Sequence, residues 1–447
     1  MKVLFSNPPW WEGREPAWYG LRRKWRAGVR AGSRWPFTAL GNSSPDRPWF
    51  RDYLPYPFFM GYAATYAKKQ TGADVHFRDS IAIKESYDSF FEHLKRERYE
   101  MLFIESASPS WDHDARLIGR IHDLLPACKV AVAGPITSTR GKEILEKLPV
   151  VACINGEYEK GSAAVINGRG GVLGHDMLTE AEMNQAPFPW FDELNAYRYW
   201  DMNPRGQKAP HAQVWSSRGC PFKCIFCVWP ATMTGNDPDG SRARKVRHYT
   251  PEYMEAFLRD LTGRFKYRSI YFDDDTFNLG NSHVLKMCEV MRKIGLPWSA
   301  MCRADSIRLE TWKVMKDSGC FGVKIGFESG NQEVVDKIVN KHLDLEEAAG
   351  VVREVKRLGM TVHGTFTYGL PGETREQMLD TRRFIKSLPF DSIQQSGTAE
   401  IEGTPLHTLR TTGHLAAYGQ ARIDSAYDRQ KDGNKKWHSI VKQLRES

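Results

Sequence analysis

The feature that most limits what this chain can fold into is a repeated alternation of short β-branched runs with helical stretches. In residues 1–160 the runs KVLFSNPPW, DVHFRDS, EMLFIESAS, KVAVAGP and VACINGEYE alternate with helical patterns such as YPFFMGYAATYAKKQTG, YDSFFEHLKRERY, WDHDARLIGRIHDLLP and KEILEKLP. Strands separated by helices of about 10–15 residues predict an α/β fold with a doubly wound, Rossmann-like parallel sheet. Such sheets bind ligands beyond the carboxyl ends of their strands. Those ends carry Asn7, Pro8, Pro9 and Trp10, then Ser106 and Ser108, Gly134 and Pro135, and Gly156 and Glu157. The glycines leave bare backbone, which would let a flat ring or tail approach closely. No G-x-G-x-x-G follows the first strand, so a dinucleotide is a weak reading.

From about residue 205 the alternation returns. AQVWSSRG, SIYFDDD, WSAMCRA, GVKIGFES, TVHGTFTYG and SIQQSG are six strand candidates separated by helices, which predicts a partial (β/α)6 barrel over 205–410. Residues 161–204, with NGRGG as a hairpin turn and the Pro- and aromatic-rich APFPWFDELNAYRYW, are expected as a linker. Residues 11–50 hold five Trp and little periodicity, and are expected to cap a ligand. Residues 411–447 read as a charged, polar tail.

The net charge of +9 is mild for 447 residues. Two basic clusters, Arg22–Arg30 and Arg242–Arg247, come with no nucleic-acid motif, so they read as solvated loops or as charge facing an anionic cofactor or substrate. No run of about 18 apolar residues and no signal peptide is visible, which favours a cytoplasmic protein without a membrane span.

Eight cysteines are present, five of them scattered and three gathered as Cys220, Cys224 and Cys227 in the spacing C-x3-C-x2-C. Scattered cysteines are usually buried small hydrophobes. The trio follows a strand, on a loop at the barrel mouth. Three soft thiolates suit three irons of a 4Fe–4S cubane and leave the fourth iron open. A zinc site would want a fourth Cys or His at short spacing, and none follows before His248. Zinc and a purely electron-transferring cluster remain the alternatives.

C-x3-C-x2-C with Phe226 before its last cysteine resembles the signature of the radical S-adenosylmethionine (SAM) superfamily. Further segments agree in order. IYFDDDTF (Asp274, Asp275, Phe277) and CRAD (Arg303, Asp305) look like the second and third strand ends. GFESG (Glu328, Ser329) resembles the fourth, and YGLPGET and EGTPL the segments after the fifth and sixth. The resemblance implies that Cys220, Cys224 and Cys227 ligate the cluster, and that Phe226, Asp274, Arg303, Glu328 and Ser329 contact SAM. The N-terminal pieces SNPPW, YPFFMGYAATYAKK, VAGP and INGEYE are similar to the cobalamin-binding domain of one branch of these enzymes, the cobalamin-dependent (class B) methyltransferases. Asn7, Pro8, Pro9, Trp10, Ser106, Ser108, Gly134, Pro135, Gly156 and Glu157 would then face cobalamin. The D-x-H-x-x-G motif that puts a histidine under cobalt elsewhere is missing. The resemblance therefore implies a displaced base and no histidine ligand, with His113 an ordinary helix-start residue.

The activity implied is methylation of an unactivated sp3 carbon through a 5′-deoxyadenosyl radical and methylcobalamin. Cyclisation or rearrangement with the same cofactors, or an iron–sulfur or cobalamin sensor without catalysis, are the alternatives. A flavodoxin, ferredoxin or reductase would supply electrons. No side-chain constellation declares the substrate. A peptide or protein residue, such as a glutamine of methyl-coenzyme M reductase, or a small natural product would suit the layout.

Overall fold

The computed structural model describes residues 1–13, 25–27, 54–201, 203–235, 237, 240–398 and 400–413. Two compact units are present: residues 1–202 with 232–236, and residues 203–231 with 237–447. The expected cap at 11–50 and the basic cluster at 22–30 lie outside the described residues, apart from an antiparallel pair of short strands, Trp11–Gly13 and Trp25–Ala27. The expected tail lies outside them beyond residue 413.

The first unit is built on a six-stranded parallel sheet. Its strands are β1 (Lys2–Asn7), β2 (Asp74–Asp79), β3 (Met101–Glu105), β4 (Lys129–Ala133), β5 (Val150–Ile154) and β6 (Gly171–Leu173), in the order β2-β1-β3-β4-β5-β6. Helices α1 (Phe58–Thr71), α2 (Tyr87–Glu97), α3 (Trp111–Leu124), α4 (Pro135–Lys147) and α5 (Glu159–Ile166) connect them. Gly72 ends α1 in the left-handed conformation, and its N–H returns to the Lys68 carbonyl. One face of β3 and β4 packs Leu102, Ile104, Val130 and Val132 on Ile118 and Ile121 of α3, all buried. Helix α4 begins at Pro135, seven residues before the expected KEILEKLP pattern, because Pro is preset for a first helical position.

The expected linker at 161–204 is corrected by the structure: residues up to 202 belong to the first unit. Helix α5 is a crossover, so β6 lies parallel to β5 rather than forming a hairpin after NGRGG. The Pro- and aromatic-rich run is also committed to this unit. Phe191 stacks on Tyr56 at 4.3 Å, the Tyr56 hydroxyl donates to the Trp190 carbonyl, and Leu54 bridges Trp200. The apolar area of this run drives it onto the unit's surface, where a linker would stay solvated.

The second unit is the partial barrel. Strands β7 (His211–Val214), β8 (Ser269–Phe272), β9 (Trp298–Cys302), β10 (Cys320–Glu328), β11 (Thr361–Tyr368) and β12 (Ser392–Gly397) pair consecutively and all in parallel. Helices α6 (Pro251–Arg264), α7 (Asn281–Ile294), α8 (Leu309–Asp317), α9 (Leu345–Arg357) and α10 (Arg375–Ser387) alternate with β8–β12, and α11 (Pro405–Thr412) follows β12. Side chains of Thr250, Asp344, Thr374 and Thr404 cap α6, α9, α10 and α11. Each such cap contributes about 1 kcal/mol. No helix among the described residues is long and apolar enough to cross a membrane.

Candidate functional site

In the first unit, the strand order places the topological switch point between β1 and β3. Asn7 ends β1. Its side-chain Nδ2 donates to Asp79 Oδ1 at 3.1 Å, while its side-chain Oδ1 is buried with no partner among the described residues. Trp10 is 2% exposed and its indole N–H has no partner among them either; the same holds for the Ser108 hydroxyl, just after β3. Burying a polar group without a partner costs about 1–3 kcal/mol. Three such atoms at the ends of two neighbouring strands are what a large, mostly neutral ligand with amide groups would satisfy. The donor set fits cobalamin.

Other expected residues of this face are occupied within the protein. The Ser106 hydroxyl donates to Asp114 at 2.6 Å. Gly134 has φ +116°, and a Cβ there would lie 2.1 Å from the Ser106 carbonyl oxygen. A Cβ on Gly156 would lie 2.7 Å from the His175 ring. Neighbouring protein atoms alone therefore require glycine at both positions. Pro8, Pro9 and Glu157 are buried, and Pro135 opens α4. His113 lies in the first turn of α3, its ring 6.0 Å from that of Trp10. Burial pushes the Asp79 carboxyl up to about 6, against hydrogen bonds from Ala82, Tyr199, Ile81 and Asn7.

In the second unit, β7 runs into a short antiparallel pairing of Ser217–Arg218 with Arg247–His248, and then into the cysteine loop. The backbone fastens this loop at its middle. The Ile225 N–H donates to the Val339 carbonyl at 2.9 Å, and the Leu406 N–H donates to the Ile225 carbonyl at 2.8 Å. The Asn340 side chain donates to the Lys223 carbonyl at 3.3 Å. Cys220, Cys224 and Cys227 are free thiols, close enough for their charges to interact. Burial, with Asp275 and Cys224 nearby, pushes the Cys220 thiol up to about 11, and burial raises Cys227 as well. Protein alone thus disfavours the thiolates, and bound iron would reverse that. Among the described residues, no three His, Cys, Asp or Glu converge as ligands of a single ion. Cubane ligands each hold a different iron, so the trio fits a cluster.

The aspartate pair divides its work. Asp274 is fully buried and accepts from the Ser216 N–H at 3.0 Å, the Ser216 hydroxyl at 2.9 Å and the Ser217 hydroxyl at 2.6 Å. Burial still raises its pKa to about 7. It pins the root of the cysteine loop, whereas Asp275 is the carboxylate whose charge acts on Cys220 and Cys227. Arg303 is likewise engaged. Its guanidinium forms a two-pronged pair with Asp305 at 2.7 and 2.6 Å, donates to the Lys341 carbonyl and lies 3.6 Å from the Phe222 ring centroid. Phe226 is buried in the loop, and the Ser329 hydroxyl bonds Thr381 at 2.9 Å.

Glu328 ends β10 at a register shift, with φ +69°, a strained conformation for a side-chain-bearing residue. Its carboxylate pairs with Lys341 at 3.0 Å, and both side chains are nearly buried. A Cβ on Gly326 would lie 2.5 Å from that carboxylate, so the glycine is what admits the pair. Burial opposes the Lys341 ammonium, but Glu328 and Cys224 outweigh it and hold its pKa above the ordinary value. Asn340 and His342, on either side, also have positive φ. The sequence reading missed Lys341: it lies 13 residues after Glu328, and no local pattern marks it. It also missed Thr276, whose hydroxyl lies 3.6 Å from Cys220 Sγ.

Comparisons with known proteins agree with this geometry. Residues 216–385 match the radical SAM superfamily model. An uncharacterized methyltransferase of Pyrococcus horikoshii is 25% identical over 377 residues, 80% of this chain and 79% of that protein. Cytidylyl-2-hydroxyethylphosphonate methyltransferase of Streptomyces wedmorensis is 28% identical over 52% of this chain, which spans 44% of that relative. The fold is shared with the radical SAM methyltransferase TsrM of Kitasatospora setae, solved with cobalamin and a [4Fe-4S] cluster. The TM-score is 0.63 at 15% identity, covering 91% of this chain and 76% of that one. Residues 216–385 are thus a radical SAM domain, and the chain as a whole resembles a methyltransferase in sequence and a cobalamin-binding radical SAM methyltransferase in fold.

Proposed function

We propose that this chain methylates an unactivated sp3 carbon. The observation that carries the reading is the gathering of Cys220, Cys224 and Cys227 with Asp275, Lys341 and Glu328 at the carboxyl end of the barrel sheet. Once bound, the cluster supplies the electron that cleaves SAM, and cobalamin supplies the methyl group. The three cysteines hold three irons. Asp275 and Glu328 accept hydrogen bonds from the ammonium or ribose of SAM, and the buried Phe226 keeps water from the loop. Asn7, Trp10 and Ser108 offer polar atoms to cobalamin. Two reactive cofactors are superfluous for methylating a nucleophilic N or O, which needs only SAM in a polar pocket. A carbon beyond ordinary displacement needs both.

The substrate class is a peptide or protein residue, a glutamine of methyl-coenzyme M reductase among them, or a small natural product. A flavodoxin, ferredoxin or reductase of the reducing cytoplasm donates the electron. The free cysteines support that compartment. The test feeds SAM deuterated on its methyl group. CD3 in the product and one substrate hydrogen in 5′-deoxyadenosine, in equal amounts, are expected. 5′-Deoxyadenosine formed with no CD3 in the product overturns methylation in favour of cyclisation or rearrangement.

A further inference from the structure

The basic run Arg242–Arg247 reads in sequence as solvated charge or as charge facing an anionic cofactor or substrate, and the structure buries part of it. The side chain of Arg244 is 1% exposed, and that of its ion-pair partner Asp237 is 2% exposed. Arg244 Nε donates to Asp237 Oδ2 at 2.9 Å, and Asp237 also accepts from the Arg242 N–H at 2.8 Å. The Nη1 group donates to the Phe222 carbonyl at 2.6 Å, and Phe222 lies between Cys220 and Cys224. The guanidinium charge reaches the Cys227 thiol. Its Nη2 group is buried and has no hydrogen-bond partner among the described residues.

A guanidinium offers five N–H donors in a rigid fork. Leaving a buried charged donor unmet is more expensive than leaving a neutral one. Here one edge of the fork is anchored on Asp237, one arm is fixed to the backbone of the cysteine loop, and the other arm is buried and unmet among the described residues. Nothing among the described residues requires an arginine's second arm: a lysine would reach the Phe222 carbonyl, and a neutral pair would fill the same volume. An acceptor that arrives with the cluster, the Cys227 thiolate or an inorganic sulfide, would meet it, and the charge of the guanidinium already acts on Cys227.

We propose that Arg244 is a positioning and redox-tuning residue of the cluster, its Nη2 group donating a hydrogen bond to a cluster sulfur next to Cys227. This rests on ligation of the cluster by Cys220, Cys224 and Cys227. Hydrogen bonds to cluster sulfurs set reduction potential. A cationic donor stabilises the reduced form, which carries one more negative charge. Asp237 tempers the charge without occupying the second arm, so the effect is directional.

The experiment uses full-length protein reconstituted anaerobically with iron and sulfide and titrated with dithionite in the absence of SAM, with the reduced cluster followed by electron paramagnetic resonance. R244Q and the paired variant D237N/R244Q, which removes both charges together, should keep the wild-type iron and sulfide content. Both should show about a tenfold lower ratio of reduced to oxidised cluster at a given potential, a downward shift of about 59 mV for one electron. R244K, which keeps the charge and loses the fork, should shift in the same direction by less. Cluster-replete variants with an unchanged midpoint would overturn the proposal. A second measurement is decided on the wild-type protein. Wild-type protein carrying 15N only in its arginine guanidinium groups should show a 15N coupling in pulsed spectra of the reduced cluster, lost in R244K. No coupling in wild type overturns the proposal. Absence of any cluster in wild type overturns instead the ligand assignment on which it rests.

Discussion

The two sheets end differently. At the carboxyl edge of the first, the polar atoms Asn7 Oδ1, Trp10 Nε1 and Ser108 Oγ are buried and unmet among the described residues, and the buried carboxylate Asp79 is held by neutral donors, Asn7, Tyr199 and the backbone N–H groups of Ile81 and Ala82. At the edge of the second, charges are dense and tied down: Glu328 to Lys341, Arg303 to Asp305 and Arg244 to Asp237. The contrast matches two kinds of ligand. A large, nearly neutral ring system is held by shape and scattered amide contacts. A small zwitterion and a charged cluster need fixed counter-charges. A carboxylate or guanidinium cannot wait in a buried pocket alone, so the second site must be wired before its ligands arrive.

The sharpest way to break this contrast is to remove one cluster cysteine. C220A, C224A or C227A should abolish iron retention and SAM cleavage entirely, while C302A and C320A should leave about four irons bound. Iron and sulfide analysis decides it, and retention of a full cluster by any variant of the trio would sink the assignment. Next in size is the wiring itself. K341M strands a buried carboxylate and should destabilise the second unit by about 3–5 kcal/mol, with K341M/E328Q recovering most of it. Denaturant titration measures both, and equal stability of K341M and wild type would mean that the pair is not load-carrying.

In the first unit the corresponding changes should act on binding. W10F removes the unmet N–H, and cobalamin affinity should fall up to about tenfold while the melting temperature of the cobalamin-free protein holds. G134A should do the reverse and lower the melting temperature, because its Cβ meets the Ser106 backbone. If W10F leaves affinity unchanged, the indole N–H serves the protein rather than the ligand. The smallest effect is on pH. Burial raises Asp274 from 3.8 to about 7, so between those values the folded state binds a proton that the unfolded state has released. That contribution to stability is complete below pH 4 and fades as pH rises through 7. D274N should flatten this part of the pH dependence, as read by denaturation at pH 5, 6 and 7.

What the sequence reveals of each edge follows from how its residues are spaced. The cysteines are legible because ligation chemistry is concentrated in eight consecutive residues, and the six barrel strands are legible because each has its own periodic run. Lys341 and Arg244 are illegible because their meaning comes from packing against residues far along the chain. Asp274 matches a strand-end pattern, yet the structure spends it on Ser216 and Ser217 and leaves Asp275 nearer the thiols. Gly134 and Gly156 stand out in the sequence, but the protein atoms that require them, at Ser106 and His175, are visible only in the structure. The segment 161–204 misleads because proline and aromatic residues signal a loop locally, whereas their apolar area commits them to the first unit.

The fastening of Ile225 has a consequence for how the molecule is made. Its carbonyl is met by Leu406 and its amide by Val339. The cysteines therefore leave the ribosome well before the segments that shape their loop. At roughly 5–20 residues per second, the 181 residues from Phe226 to Leu406 take on the order of ten seconds or more to synthesise. Throughout that interval the thiols are present and unshaped, open to oxidation or to the wrong metal. Cluster delivery therefore belongs after synthesis, and a chain stalled before residue 406 should emerge with its cysteines present and its loop unable to close around iron.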